Sequence, residues 1–192
     1  MSQVRPETGE IVTVGALDHE LQPLHRLYVV ASDKPQLEEP LSAIATVEIH
    51  VTDVNDHAPT IRVNAPSQTG NGSENTTLTV AWDAPAGSFV GHVTVDDADS
   101  GKNAHFRCRL SGPQATRFQL HRMYRTEFKI VTAESYERNV RGDVAEFSIV
   151  CRDDGVPSLT SALPVCIFRD CMKRLSLENN WPSCDYVVII AF

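Results

Sequence analysis

The residue types able to do chemistry are gathered in three short acidic stretches. Asp53-Val54-Asn55-Asp56-His57-Ala58-Pro59 sets two carboxylates and an amide within four residues and closes on a proline. Asp96-Asp97-Ala98-Asp99-Ser100-Gly101-Lys102-Asn103 is a second such knot. In Leu17-Asp18-His19-Glu20 the two acids would project to the same side of an extended chain. Donor sets made only of oxygen suit hard cations. Ca2+ takes about six to eight oxygens at ~2.3–2.6 Å, backbone carbonyls among them. For any one stretch taken alone, a solvated acidic turn is the plain alternative.

Strands must position these knots. Ala45, Val47, Ile49 and Val51 alternate along 45–52, so a strand delivers Asp53 to Pro59 at its own end, and Pro59 forces an extended exit. Thr8 to Thr13 reads as a short strand. Leu24 to Ser32 reads as another, with either Leu27 and Val29 or Tyr28 and Val30 facing inward. Beyond Thr60, strand-like runs occur at Leu78–Trp82, Phe89–Val95, His105–Leu110, Phe118–His121, Glu127–Thr132, Ala145–Arg152 and Ala162–Phe168. Seven short strands parted by turn signals predict an antiparallel β-sandwich. No stretch sustains a helical period.

Composition narrows the function. The chain has 192 residues, 42% of them apolar, and a net charge of −8, which argues against binding nucleic acid. No run approaches the ~20 apolar residues of a membrane span, and the N-terminus shows no signal-peptide core. Two sequons, Asn71-Gly72-Ser73 and Asn75-Thr76-Thr77, mark Asn71 and Asn75 as candidate glycosylation sites of a secreted chain. None of the five cysteines has C-x-x-C spacing, so structural zinc and thioredoxin-type chemistry lack support. Cys108 and Cys151 fall on runs that the sandwich makes neighbours. Both a cross-strand disulfide and two buried thiols are open there, the thiols slightly preferred because adjacent-strand bridges are often strained. A metal hydrolase would have to draw on His19, His50, His57 and His121, which read as surface or strand positions. No H-E-x-x-H, G-x-S-x-G or P-loop pattern accompanies them.

The chain also repeats itself. Glu10 to Thr13 is echoed by Phe128 to Thr132, Leu17 to Glu20 by Tyr136 to Asn139, and Val30 to Asp33 by Val150 to Asp153. The offset of 119 to 120 residues is domain-sized. The first copy thus holds roughly the last three strands of a seven-strand unit.

Taken together, these motifs resemble extracellular cadherin repeats. Asp53 to Pro59 is similar to the family's D-x-N-D-N-A-P linker and Asp18-His19-Glu20 to its D-R-E motif. Asp97-Ala98-Asp99 resembles D-x-D, and Cys151-Arg152-Asp153 resembles A-x-D. The wording Asp99-Ser100-Gly101-Lys102-Asn103 is closer to protocadherins. The resemblance implies an all-β chain of Greek-key, seven-stranded, Ig-like sandwiches in tandem. A partial repeat would occupy 1–58 and a nearly complete one 59–168, with a non-cadherin, disordered tail at 169–192. It also implies up to three Ca2+ ions at the junction. Their ligands would be Asp18, Glu20, Asp53, Asp56, Asp97, Asp99 and Asp153, with the carbonyls of Val54, Asn55 and Asn103.

The implied function is calcium-dependent, homophilic cell–cell adhesion at the extracellular face of the plasma membrane, with other cadherin-like ectodomains as partners. A non-adhesive spacer within a longer ectodomain is the second reading, and no enzymatic activity is implied. Two carboxylates about 4 Å apart repel by about 4 kcal/mol at an effective dielectric of 20, so seven gathered acids would splay the linker without Ca2+ and stiffen it with Ca2+. Two departures predict fewer ions than the family's full set. The base glutamate of the first repeat has no counterpart here, and His57 stands where the family has a ligating asparagine. The ion served by Asp97, Asp99 and Asp153 is the one expected to survive. At the far end, Trp82-Asp83-Ala84-Pro85 and Glu137-Arg138-Asn139 depart from the family's ligand motifs, so no ion is expected there.

Overall fold

The structure is a computed structural model and describes residues 2–5, 7–33, 41–64, 76–81, 83–135 and 144–170. The chain divides into two compact units. The first comprises Met1–Pro59, Asp97–Phe106 and Arg152–Leu159; the second comprises Thr60–Asp96, Arg107–Cys151 and Thr160–Phe192.

In the first unit, β1 (Ser2–Val4) pairs antiparallel with β2 (Ile11–Thr13). β3 (Leu24–Ser32) pairs antiparallel with β4 (Ser42–His50) over their full length, from Leu24 opposite His50 to Ser32 opposite Ser42. The three strands read from the sequence are all present, and β1 is additional. Leu27 and Val29 form the more buried face of β3, matched by Val47 and Ile49 of β4, while Tyr28, Val30 and Ile44 are exposed. Arg26 and Glu48 are register partners and form an ion pair at 2.7 Å. Both side chains are largely exposed, so the pair contributes little to stability.

The second unit is a two-sheet sandwich. Its strands are β5 (Thr60–Asn64), β6 (Thr76–Ala81), β7 (Phe89–Asp96), β8 (Phe106–Ser111), β9 (Phe118–Arg122), β10 (Glu127–Thr132), β11 (Ala145–Asp153) and β12 (Thr160–Asp170). One sheet has the order β5-β7-β10-β9 and the other β6-β12-β11-β8. Steps β7 to β8, β8 to β9 and β10 to β11 each change sheet, as in a Greek key. Among the described residues the only helical piece is a 3-10 turn at Ala115–Arg117, so the chain is nearly all-β.

Period-two alternation builds the core. Val93 and Val95 of β7, Phe128 and Ile130 of β10, Phe147 and Ile149 of β11, and Val165 and Ile167 of β12 are all buried. Each such side chain contributes about 1.5–3 kcal/mol by leaving water. Gly91 of β7 sits against Leu78 of β6, where a Cβ would lie 3.1 Å from the leucine's Cδ1. A glycine there lets Leu78 bury completely.

Two features differ from the sequence reading. The stretch after Pro59 forms β5, an eighth strand paired antiparallel with β7; five residues with only Ile61 and Val63 alternating are a weak signal. β6 pairs parallel with β12 in the other sheet. Second, Cys108 and Cys151 are joined as a disulfide with their Cα atoms 4.1 Å apart, so the preference for two thiols is corrected. β8 and β11 are neighbours in one sheet, and that proximity meets the distance condition for a bond. Cys166 is a half-buried free thiol, held above the ordinary thiol range by burial and then by the nearby Glu146 charge.

Candidate metal centre

All ten residues expected as ligands lie in the first unit. Four segments supply them: the run leaving β4, the loop between β7 and β8, the turn at the end of β11, and the stretch between β2 and β3 that carries Asp18 and Glu20. The last three are folded by their own acids. In the β7–β8 loop, Asp97 Oδ1 accepts the Asp99 N–H at 3.1 Å, and the loop then turns through Gly101 at φ +57°. In the β11–β12 turn, Asp153 is 3% exposed and accepts the N–H groups of Gly155 and Leu159 at 3.0–3.1 Å. Asp18 closes its own turn by accepting the Leu21 N–H at 2.8 Å.

Asn55 ties the first segment to the third. Its Nδ2 donates to Asp153 Oδ1 at 3.2 Å and to the Pro157 carbonyl. The approach is so close that a Cβ at Gly155 would collide with the amide. Asp53 ties the first segment to the second. It accepts the Ser100 N–H at 3.3 Å and the Asn103 side-chain amide at 3.0 Å. Asp99, 6% exposed, receives the His57 backbone N–H at 3.3 Å and faces His57 Nδ1 at 3.0 Å.

Two groups of ligand atoms each fall within 4.8 Å of one another: Glu20, Asp56, His57 and Asp99 in one, His19, Glu20 and Asp53 in the other. Glu20 joins both. Asp97 and Asp153 do not enter these groups, although their charges interact. Asp18 also stands outside, acting on Glu20 through its charge. The Val54 side chain is 60% exposed, and its carbonyl accepts the Asp56 N–H at 3.0 Å.

Crowding shows in the proton affinities. For Glu20 a backbone hydrogen bond pulls the pKa down. Burial, the hydrogen bond with Asp53 and the charges of Asp56 and Asp18 outweigh it, so the carboxyl is raised. Burial, first, and then the charges of Asp99 and Asp153 raise Asp97. Asp53 goes the other way: burial pushes it up, but bonds from Asn103, Ser100 and Glu20 carry it below the usual range. The hydrogen bond to Asp99, helped by Asp56, raises His57.

Three oxygens decide what the arrangement can do. Glu20 Oε1, Asn55 Oδ1 and Asp97 Oδ2 are buried without a hydrogen-bond partner among the described residues. A buried acceptor left unpaired costs about 1–3 kcal/mol, more if charged. Lone pairs so placed, beside further carboxylates, make a donor set that fits a hard dication.

Sequence reasoning missed the two imidazoles and one amide. His19 read as a surface residue, yet its Nδ1 lies 2.9 Å from the Val51 carbonyl and its Nε2 3.3 Å from Ser100 Oγ. His57 read as a poor substitute ligand, yet it bridges Asp56 and Asp99. Both are adjacent to expected ligands in the chain, which was the available signal. For Asn55 the expected donor was its carbonyl, whereas the buried, unpaired oxygen belongs to its side chain. His121 is bonded instead to Gln119, at 2.9 Å. Asn71, Asn75, Trp82, Glu137, Asn139 and the tail from residue 171 lie outside the described residues.

The family model described as a cadherin domain matches residues 3–52. Protocadherin-19 of Danio rerio is 32% identical over 204 residues, an alignment covering 100% of this chain and 18% of that protein. Protocadherin-8 of Mus musculus is 28% identical over 227 residues, covering 97% and 21%. The chain therefore spans about a fifth of the length of these relatives. Among solved structures, the protocadherin gammaB7 EC3-6 cis-dimer superposes with a TM-score of 0.72 at 29% identity, covering 88% of this chain and 37% of that one. Extracellular domains 1-4 of protocadherin gamma B7 give 0.71 at 30% identity, covering 86% and 36%.

Proposed function

We propose that this chain, which belongs to the cadherin superfamily and is built of protocadherin-like repeats, contributes calcium-stiffened extracellular repeats to homophilic cell–cell adhesion. The first repeat runs to residue 58 and the second spans 59–168. Asp97, Asp99 and Asp153 hold the principal Ca2+ ion, and Glu20, Asp53, Asn55 and Asp56 complete the junction. When bound, the ion supplies the positive charge that offsets the crowded carboxylates. The surrounding residues do the positioning: Asn103 and Ser100 hold Asp53, Leu159 and Gly155 hold Asp153, and the His57 N–H holds Asp99.

The observation that carries this reading is the set of three buried, unpaired oxygens on Glu20, Asn55 and Asp97 beside those carboxylates. A solvated acidic turn would leave such oxygens in water. Supporting it are the similar proteins, which are cadherins and protocadherins rather than enzymes. The partners are other cadherin-like ectodomains at the extracellular face of the plasma membrane, and no helix of the described residues is long and apolar enough to cross a bilayer.

Isothermal titration with Ca2+ tests the site. Asp99→Asn keeps the side-chain volume but removes a buried charge at its centre, and should abolish most of the heat. Equal heats from the wild type and the variant would end the assignment.

A further inference from the structure

We infer from the geometry that His57, Asp56, Asp99 and Glu20 form a site for a transition-metal dication of the Zn2+ class, overlapping the calcium junction. The competition with Ca2+ rests on the calcium reading; the site itself does not.

The donor types set this group apart from the rest of the junction. Imidazole nitrogen suits zinc, copper and nickel, whereas Ca2+ prefers oxygen alone. His57 Nδ1 points into the carboxylates, 2.8 Å from Asp56 Oδ1 and 3.0 Å from Asp99 Oδ1. Glu20 completes a one-nitrogen, three-oxygen set whose ligand atoms lie within 4.8 Å of one another. Zinc bonds of about 2.0–2.2 Å in a tetrahedron place neighbouring donors about 3.3–3.5 Å apart. The two observed separations need to widen by only about half an ångström. The ion would replace the contacts that His57 Nδ1 makes with the two carboxylates.

The set is anchored and accessible at once. Asp99 is buried and further fixed by the His57 backbone N–H at 3.3 Å. The His57 and Asp56 side chains are 47% and 59% exposed, leaving an ion a route in from solvent. Glu20 Oε1, buried and unpaired, supplies a lone pair that no hydrogen bond of the described residues claims.

The test is zinc calorimetry on the full chain, thiols alkylated so that sulfur cannot compete, with and without Ca2+. His57→Asn should weaken Zn2+ by about tenfold or more while leaving Ca2+ affinity equal or tighter. Ca2+ should weaken the apparent Zn2+ affinity of the wild type. Unchanged zinc affinity in His57→Asn would overturn the site. So would an equal loss in His19→Asn, which would move the ion to His19, Glu20 and Asp53. A wild-type measurement guards against misfolding of the variant: Zn2+ must perturb the NMR signal of His57 Nδ1, and failure to do so overturns the proposal. Zinc binding through His57 without any Ca2+ heat would sustain this site and remove the calcium reading.

Discussion

Reducing the Cys108–Cys151 disulfide should cost about 4 kcal/mol. The bond closes a loop across a sequence separation of 43 residues, and the chain-entropy relation for a loop of that length gives about this figure at 25 °C. For a chain of this size each kcal/mol shifts the melting midpoint by about 2–4 °C, so the expected drop is about 8–16 °C. The consequence reaches the candidate metal centre through covalent connectivity. β8 follows directly from the loop carrying Asp97 and Asp99, and β11 runs two residues past Cys151 to Asp153. Loss of the tie should therefore weaken Ca2+ binding as well as lower the midpoint. Melting curves with and without reductant, paired with alkylation and mass spectrometry, measure the effect. Two alkylated cysteines at 108 and 151 before reduction would refute the bond. A midpoint moved by less than about 2 °C once the bond is broken would refute the entropic reasoning.

Two further substitutions probe the positioning of the ligands. Gly155→Ala forces a Cβ into the Asn55 amide and should destabilise the fold by about 1–3 kcal/mol in denaturant titrations, with a parallel loss of Ca2+ affinity. Wild-type stability would mean that Asn55 is not held against this turn. Asn103→Ala keeps the backbone carbonyl implied by family resemblance but deletes the amide that donates to Asp53. It should weaken Ca2+ by about tenfold, because bonds to a charged acceptor are among the stronger ones; an unchanged isotherm would leave Asn103 only its carbonyl.

Much of the fold was legible because alternation survives burial. Val93 and Val95, Phe147 and Ile149, and Val165 and Ile167 announce a period of two, and all six are buried as that period requires. β5 was not legible, since two alternating apolar residues after a proline are too short a period-two signal. In the candidate metal centre, the grouping of acids was legible because they fall in short stretches of sequence. The roles of amides and imidazoles were not, because those depend on which donor meets which acceptor across chain separations of 32 to 102 residues. The disulfide lay between these cases: the sandwich made Cys108 and Cys151 neighbours, but only the Cα separation decides whether two cysteines can be joined.

The distribution of proton donors separates two kinds of acid in this candidate site. Asp153 has backbone N–H donors and the Asn55 amide, Asp53 has Ser100 and Asn103, and Asp99 has the backbone N–H and the ring Nδ1 of His57 within reach. These three are fixed in place by the protein itself. Glu20 and Asp97 are raised in proton affinity and each keeps one buried oxygen without a partner. A group held by the chain needs no ion to be oriented, while a group left unpaired gains most when one arrives. Glu20, Asp97 and the Asn55 amide oxygen are therefore the groups that gain a partner when an ion arrives, while Asp53, Asp99 and Asp153 offer their charge from fixed positions. Substituting the second class would loosen the geometry for every cation, whereas the identity of the donor at position 57 would bias the choice among cations, since nitrogen and oxygen favour different metals.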